Sequence, residues 1–267
     1  MTDLGPWGIA VSNADLAAAP ALEDLGFTTM WLAGGQLDRL SRLDDLLTAS
    51  RNAVVASAII PADVYPPSAV TELYRRTEAN FPGRLLVGLG GPQHTPTMAA
   101  AEAYLDQLDE VPPHRRVLAA MGPRKLDLAR RRAAGAIPIL VTPEYTAYAR
   151  STLGPDRLLA VGLFVVLDDD PRTARRVAQE PLQFLLGRVP TYRESARRQG
   201  FTDHDVATLS DRLVDTLTVW GSPDTVAGRA RALRAAGADH VNLTVLPAGN
   251  RSDLLWAADR LAAALSR

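Results

Sequence analysis

Short runs of leucine and β-branched residues alternate with longer stretches of helical period along the whole 267-residue chain. The runs at Trp7–Val11, Thr28–Leu32, Ala53–Ile59, Leu85–Leu89, Arg116–Ala120, Ala136–Val141, Leu159–Leu167 and His240–Leu246 predict eight strands. Between them, Leu43, Leu46 and Leu47 share one helical face, as do Val70, Leu73, Tyr74 and Thr77. Val226, Ala230 and Leu233 repeat the pattern, followed by Leu254, Leu255, Ala258 and Leu261. Gly26, Gly135 and Gly237 each follow a helix and precede a strand, the place of a left-handed glycine just past a helix end. Ser222-Pro223-Asp224 reads as a helix cap, a proline at the first helical position and an acidic first turn. Pro20 predicts a kink or a restart in the first helix.

Near-continuous apolar strands separated by helices imply a parallel sheet covered by helices. Eight such units match a closed α/β barrel, the (β/α)8 TIM barrel, better than an open doubly wound sheet. The stretch from Pro171 to Trp220 is helix, a Gly-Arg-Val-Pro break and more helix, and predicts a helical insertion between strands seven and eight. No linker or low-complexity tract interrupts the chain, so residues 1–267 are expected to form a single domain.

Composition narrows the function. Hydrophobic residues make up 47% and charged residues 22%, the balance of a soluble protein with a large core. With 29 basic against 30 acidic side chains the formal charge is -1, so nucleic-acid and membrane-surface partners are not expected. The arginine pairs and triplet at Arg75-Arg76, Arg130-Arg131-Arg132 and Arg197-Arg198 read as solvated helix faces. Cysteine is absent, which excludes disulfides, thiolate metal sites and cysteine nucleophiles and suits a reducing compartment. The N-terminal residues carry no secretory pattern, and a cytoplasmic location is expected.

A barrel of this kind works at the C-terminal ends of its strands. The residues found there are Ala33-Gly34-Gly35-Gln36, Ile60 to Pro67, Gly90-Gly91-Pro92-Gln93-His94, Met121-Gly122-Pro123-Arg124-Lys125, Thr142-Pro143-Glu144-Tyr145 and Pro247-Ala248-Gly249-Asn250. Gly122-Pro123-Arg124-Lys125 ends a strand and opens a helix, so free N–H groups, the helix dipole and cations converge on a potential phosphate. Arg124 is the expected contact, with Lys125 already turned away. Gly88-Leu89-Gly90-Gly91 permits close approach of a flat or phosphorylated ligand, although a tight strand-to-helix turn needs glycine for conformation alone. The four histidines lack metal-ligand spacing, no metal site is expected, and no G-x-S-x-G element exists for serine hydrolysis. Acid–base work would fall to His94, Glu144, Asp63, Tyr65 or Tyr145, each of which reads more readily as an ordinary polar loop residue. So sparse a set is what a cofactor-borne reaction leaves to the protein.

Four stretches carry a family pattern. Val54 to Ile60 with Tyr65-Pro66-Pro67-Ser68-Ala69, Pro82-Gly83-Arg84-Leu85-Leu86-Val87-Gly88-Leu89-Gly90, and Arg116 to Pro123 resemble strands three to five of the bacterial luciferase-like monooxygenase superfamily. Trp220-Gly221-Ser222-Pro223-Asp224-Thr225-Val226, followed by Ala236-Gly237-Ala238-Asp239-His240-Val241, resembles its C-terminal signature. Within it, the Trp31 to Gly35 turn and Leu140 to Thr146 resemble the branch that uses coenzyme F-420, an 8-hydroxy-5-deazaflavin.

The resemblance implies that the cofactor ring rests on a bulge in strand three containing a cis non-proline peptide, matched here by Ser57–Ala58. It implies that Gly90 and Gly91 flank the ring and that Met121, Gly122 and Arg124 hold the phosphate. The residues themselves place Gln93 and His94: strand four ends at Leu89, the double glycine turns the chain inward and Pro92 limits its freedom, so both are expected to project towards the mouth. Gln93 would orient ring or substrate, and His94 would carry the proton or else bond a backbone carbonyl as a loop histidine. Sugar-phosphate dehydrogenases of the branch carry an acidic–histidine pair after strand two, where this chain has Gly34-Gly35, so that activity is not expected. The implied function is hydride transfer between coenzyme F-420 and a small organic substrate. An FMN-dependent monooxygenase or a non-catalytic flavin- or deazaflavin-binding protein stands as the alternative. Such barrels commonly pair through outer helices, and a homodimer is expected, with Val70, Leu73 and Tyr74 available to either barrel or partner.

Overall fold

The computed structural model describes residues 3–91, 97–248 and 253–267. Its strands are β1 (Trp7–Val11), β2 (Thr29–Ala33), β3 (Val54–Ala58), β4 (Ile60–Pro61), β5 (Leu85–Gly90), β6 (Arg116–Leu118), β7 (Gly135–Ala136), β8 (Leu158–Val166), β9 (Val219–Trp220) and β10 (His240–Val245). All pair in parallel in the order β10-β1-β2-β3-β5-β6-β7-β8, and β8 pairs β10 to close the barrel. β4 continues the line of β3 beside β5, and β9 adds to the end of β8. This is the (β/α)8 barrel that the alternation predicts.

Most strand boundaries move by a residue or two. The exception is the sixth run, where only Gly135–Ala136 ladders and Ile139 bridges to Gly162. Pro138, which has no N–H to give, interrupts it. Gly26 and Gly237 adopt the expected left-handed φ of 93° and 111°. Gly135 does not: it lies within β7, where a Cβ would collide with the Leu158 carbonyl, so glycine is needed there for close strand approach. At Pro20 the chain passes from a 3-10 turn, Leu16–Ala18, into an α-helix, Ala19–Asp24, which is the restart that proline enforces.

The insertion between β8 and β10, the seventh and eighth barrel strands, comprises helices Pro171–Arg188, Pro190–Arg198, Asp203–Thr208 and Asp211–Leu217. Ala174, Ala178, Leu182 and Leu186, spaced by four, give its first helix one buried face, which packs with Phe201, Leu213 and Leu217 into a core of its own. Gln199 ties it to the barrel: its Nε2 donates to Leu140 O (3.0 Å) and its Oε1 accepts from the Thr142 N–H (2.9 Å). The helical face Val70, Leu73, Tyr74 and Thr77 is buried within the protomer, so it offers no surface for a homodimer. Among the described residues, no helix is long and apolar enough to cross a membrane.

The third strand carries the main irregularity. β3 pairs Val55 with Leu85 and Ala56 with Leu86, whereas β4 resumes with Ile60 opposite Leu89. Ser57, Ala58 and Ile59 therefore face only Val87 and Gly88, a bulge of one residue. The Ser57 hydroxyl closes the gap: it donates to Gly88 O (2.9 Å) and accepts from the Gly88 N–H (2.8 Å). A cis peptide is present, as expected of this strand, but at Ala58–Ile59 and not at Ser57–Ala58. Ser57 and Ala58 are still laddered to Leu32 and Ala33 of β2, and the irregular bond falls where that ladder ends.

A Cβ on Gly88 would strike the Ser57 carbonyl oxygen, a backbone atom that cannot move aside. Gly88→Ala is expected to cost about 2–3 kcal/mol, as overpacking of a tight interior does. Urea unfolding of the variant against wild type checks this, with an unchanged midpoint as the contrary result.

Candidate active site

Along each strand, inward-facing side chains recur every second residue and fill the barrel in layers. The lower layers are bulky: Trp31, Leu86, Val117, Ile137 and Leu158 pack together with Ala56, Ala134 and Ala160. At the C-terminal ends the inward positions are small: Ala10, Ala33, Ala58, Gly90, Ala119 and Gly162. The space they leave is a cavity of about 480 Å³, floored by Trp31 and Asn242. The insertion lines its upper wall through Phe184, Leu185, Val189, Thr191 and Tyr192.

Ala58 and Ile59, the two residues of the cis bond, form part of the wall. Ile59 is wedged between turns: a Cβ on Gly34 would stand 2.5 Å from Ile59 O, and one on Gly90 would stand 2.9 Å from Ile59 Cγ1. These glycines are packing requirements. Gly35 is different, because a Cβ there would meet nothing within 4 Å and would enter the open space that Gly35 lines.

The sequence-derived candidates separate in three dimensions. Ala58, Gly90, Gly91 and Met121 line the cavity. Ser57 lies behind the wall, its hydroxyl engaged by Gly88. Gly122 and Arg124 stand at the turn beyond the wall, with Arg124 exposed. Lys125 corrects the reading that it turns away: it lines the cavity, and its Nζ would stand 3.2 Å from a Cβ on Gly91. Gln93 and His94 lie outside the described residues. Tyr65 donates its hydroxyl to Leu37 O (2.8 Å), and Tyr145 donates to Met121 O. Glu144 lies in the first turn of the helix Pro143–Leu153, where its own N–H and Thr142 hold its carboxyl below the usual range. None of these three, nor Asp63, lines the cavity.

The phosphate-like turn keeps its expected form. Gly122 makes no side-chain cap, Pro123 opens the helix Pro123–Arg132, and the Arg124 and Lys125 N–H groups are left without helical partners. Lys125 has no hydrogen bond or ion pair among the described residues, and burial pushes its ammonium down from the usual lysine range. A second cation comes from the insertion: Arg198 Nη2 would stand 3.7 Å from a Cβ on Gly122. Its Arg197-Arg198 pair, readable in sequence only as a solvated face, is divided by the fold. Arg197 pairs with Asp203 (2.6 Å), and Arg198 turns to the barrel.

Beneath the floor, Trp31 Nε1 donates to His240 Nε2 (2.9 Å), so the Nδ1–H of a neutral imidazole points at Gly5 O (2.8 Å). Gly8 leaves the room for this pair, since a Cβ there would stand 2.9 Å from Trp31 Nε1. Asn242, on the same inward face as His240 and Thr244, presents a buried Oδ1 with no hydrogen-bond partner among the described residues. The alternation of His240, Asn242 and Thr244 along β10 is a period-two signal in the sequence, and the sequence places the turn that holds Lys125 at the barrel mouth, whereas nothing in it marks Tyr192 as a cavity residue.

The sequence profile of the luciferase-like monooxygenase family matches residues 92–240, more than half of the chain. The chain belongs to that family. No curated protein matches its sequence. Among solved structures, an F-420-dependent secondary alcohol dehydrogenase in complex with an F-420–acetone adduct is similar at a TM-score of 0.75, with 12% identity over 98% of both chains. The coenzyme F-420-dependent tetrahydromethanopterin reductase from Methanopyrus kandleri is similar at 0.70, with 15% identity over 96% of this chain and 97% of that one. The oxygenating constituent of 3,6-diketocamphane monooxygenase from Pseudomonas putida, a type II Baeyer–Villiger monooxygenase in complex with FMN, is similar at 0.66, with 14% identity over 97% of each chain. At these identities the likeness establishes the shared barrel. This family member is an oxidoreductase whose relatives act with a deazaflavin or a flavin.

Burial drops the His240 pKa to about 4 from its ordinary 6.5. The unfolded chain then binds a proton in a window where the folded protein does not, so stability falls as pH drops from about 6.5 towards 4. This one group is expected to remove on the order of 3 kcal/mol across that window. Urea midpoints at successive pH values check it, because the non-titrating His240→Phe should lose this part of the slope whatever it costs at neutral pH.

Proposed function

We propose that the chain is a coenzyme F-420-dependent oxidoreductase that passes a hydride between the deazaflavin and a small organic substrate. The reading is carried by one arrangement: a cavity walled by the Ala58–Ile59 bulge and by glycine and alanine, with a lysine at one side that has no partner among the described residues. Such a cleft suits a flat ring with an anionic tail, and its volume is within the range of small-ligand sites.

Two further features support the fit of the cofactor. Gly35, without steric need of glycine, leaves space that any side chain would fill. Lys125 beside Gly91, Arg198 beside Gly122 and the open first turn of the Pro123–Arg132 helix, which carries the exposed Arg124, offer a phosphate its charge partners. When bound, the deazaflavin supplies the hydride-accepting and hydride-donating carbon. The chain supplies the rest. Ala58, Ile59, Gly34, Gly90 and Gly91 would hold the ring, and Phe164, Phe184 and Leu185 exclude water from it. Gln93 and His94, which follow β5, complete the reading as the orienting amide and the carrier of the accompanying proton.

Titration of the purified protein with F-420 and, separately, with FMN tests this by absorbance and fluorescence. Micromolar binding of F-420 without binding of FMN is expected. The reverse preference would favour an FMN-dependent monooxygenase, binding of F-420 without turnover on any donor or acceptor would leave a binding protein, and binding of neither would overturn the reading. Lys125→Ala should weaken F-420 about tenfold or more, the value of a charge-assisted contact, and more than Arg124→Ala does. Gly35→Leu should abolish binding while leaving the unfolding midpoint nearly unchanged.

A further inference from the structure

The proposed cofactor reading accounts for the cation side of the cavity and for its glycines. It leaves two polar groups without work. Tyr192, in the third position of the helix Pro190–Arg198, lines the cavity and packs among apolar side chains of both the barrel and the insertion. Its hydroxyl has no hydrogen-bond partner among the described residues, although its own backbone N–H is spent on Val189 O (3.0 Å). Asn242 rises from the barrel floor, 4% exposed, with Oδ1 unpaired. The neighbouring indole N–H of Trp31 cannot serve it, being committed to His240.

Buried polar groups without partners are uncommon, because each forfeits its hydration with nothing in return. Asn242 Oδ1 is such a group, and the amide that carries it shares the lining of one cavity with the Tyr192 hydroxyl, which is open to that space and has no partner among the described residues. Together they point to a ligand that completes them. A tyrosine hydroxyl can donate, and an amide both donates and accepts. Burial pushes the Tyr192 pKa up to about 12, so the group stays protonated and uncharged at neutral pH. Around them Phe164, Leu185, Val189 and Ile139 are apolar, and no carboxylate and no cation other than Lys125 lines the cavity among the described residues.

We propose that Tyr192 and Asn242 recognise the substrate, and that the substrate is an uncharged, largely apolar molecule presenting one hydroxyl or carbonyl oxygen. A hydroxyl oxygen accepts from the Tyr192 O–H and from the Asn242 Nδ2–H, since Oδ1 itself is closed off from the cavity. A carbonyl oxygen accepts from Tyr192 and from the Asn242 amide. A carboxylate would find a counter-ion only in Lys125, which the cofactor phosphate takes in the proposed reading. The inference rests on the oxidoreductase reading for its use of the word substrate, but its recognition chemistry stands on these two side chains. The insertion thereby contributes substrate recognition, while the barrel holds the ring.

Three fluorinated probes of one shape separate the outcomes: the secondary alcohol para-fluoro-α-methylbenzyl alcohol, the hydrocarbon para-fluoroethylbenzene and the anion para-fluorobenzoate. Their binding is read by fluorine NMR on the purified protein, before and after addition of F-420. Tyr192→Phe keeps the ring and removes only the hydroxyl. It should lower the ratio of alcohol to hydrocarbon affinity about fivefold to tenfold and leave the F-420 affinity unchanged. Asn242→Leu should lower the same ratio while raising the unfolding midpoint of the ligand-free protein by a few degrees, since it removes an unsatisfied buried amide. A purely structural asparagine would lower that midpoint. An unchanged ratio in Tyr192→Phe, tightest binding by the benzoate to the F-420-loaded protein, or no binding of the alcohol in the millimolar range to either form would overturn the proposal. Failure of wild type to bind F-420, with the probe ratios as expected, would remove the cofactor reading and leave this recognition pair standing.

Discussion

An eight-stranded barrel is only just wide enough for its own side chains to fill, so any cavity within it must be made by leaving side chains out. That constraint governs this protein. Bulk is concentrated at the lower layers, where Trp31, Leu86, Val117 and Leu158 close the barrel to solvent. At the other end Ala10, Ala33, Ala58, Gly90 and Gly162 surrender volume. The insertion, whose own core is anchored through Gln199, lines the opening with the half-buried Leu185 and Val189 and the exposed Phe184.

The bulge at Ser57–Ile59 shows how the same constraint shapes the backbone. One extra residue on β3 carries Ala58 and Ile59 into the wall of the cavity, and the ladder it breaks is repaired by a single hydroxyl on Gly88. Gly34, Gly88 and Gly90 then have to be glycine because the bulge and its neighbours occupy their side-chain space. A glycine-rich sequence around a ligand site therefore has two physical causes here. Those three accommodate the protein's own backbone or the Ile59 side chain, whereas Gly35 leaves room that the protein does not use.

Charge is distributed by the same logic. Surface arginines are largely paired with carboxylates, as Arg75 is with Glu110 (2.7 Å) and Arg175 with Asp215 (2.6 Å), where water screens them and each pair contributes little. Lys125 is the contrast: half-buried beside Gly91, without a partner among the described residues, and held below its usual pKa by desolvation. Below the floor, His240 is kept neutral by burial and by its place between Trp31 and Gly5, which keeps charge out of the barrel interior.

The sequence by itself determined the architecture. Alternating apolar runs and amphipathic helices, read with a period of two and of 3.6, located the eight barrel strands within a few residues, because burial on both faces of a parallel strand leaves a local signature. The Met121 to Lys125 turn and the Gly90-Gly91 end were also legible, since a proline at the first helical position and paired glycines act locally. What remained hidden depends on contacts between distant segments. The cis bond sits one residue later than its motif implied because the β2 ladder, not the motif, decides where β3 becomes irregular. Lys125 rather than Arg124 lines the cavity because the helix is rotated by its own packing against the barrel, through Leu126, Leu128 and Ala129. Tyr192 and Arg198 reach the mouth only because the insertion folds back over it, and Asn242 Oδ1 is left without a partner among the described residues while the Trp31 indole N–H is bonded to His240. Periodicity records which face of an element is buried, but which neighbour it meets there is decided by closure of the barrel.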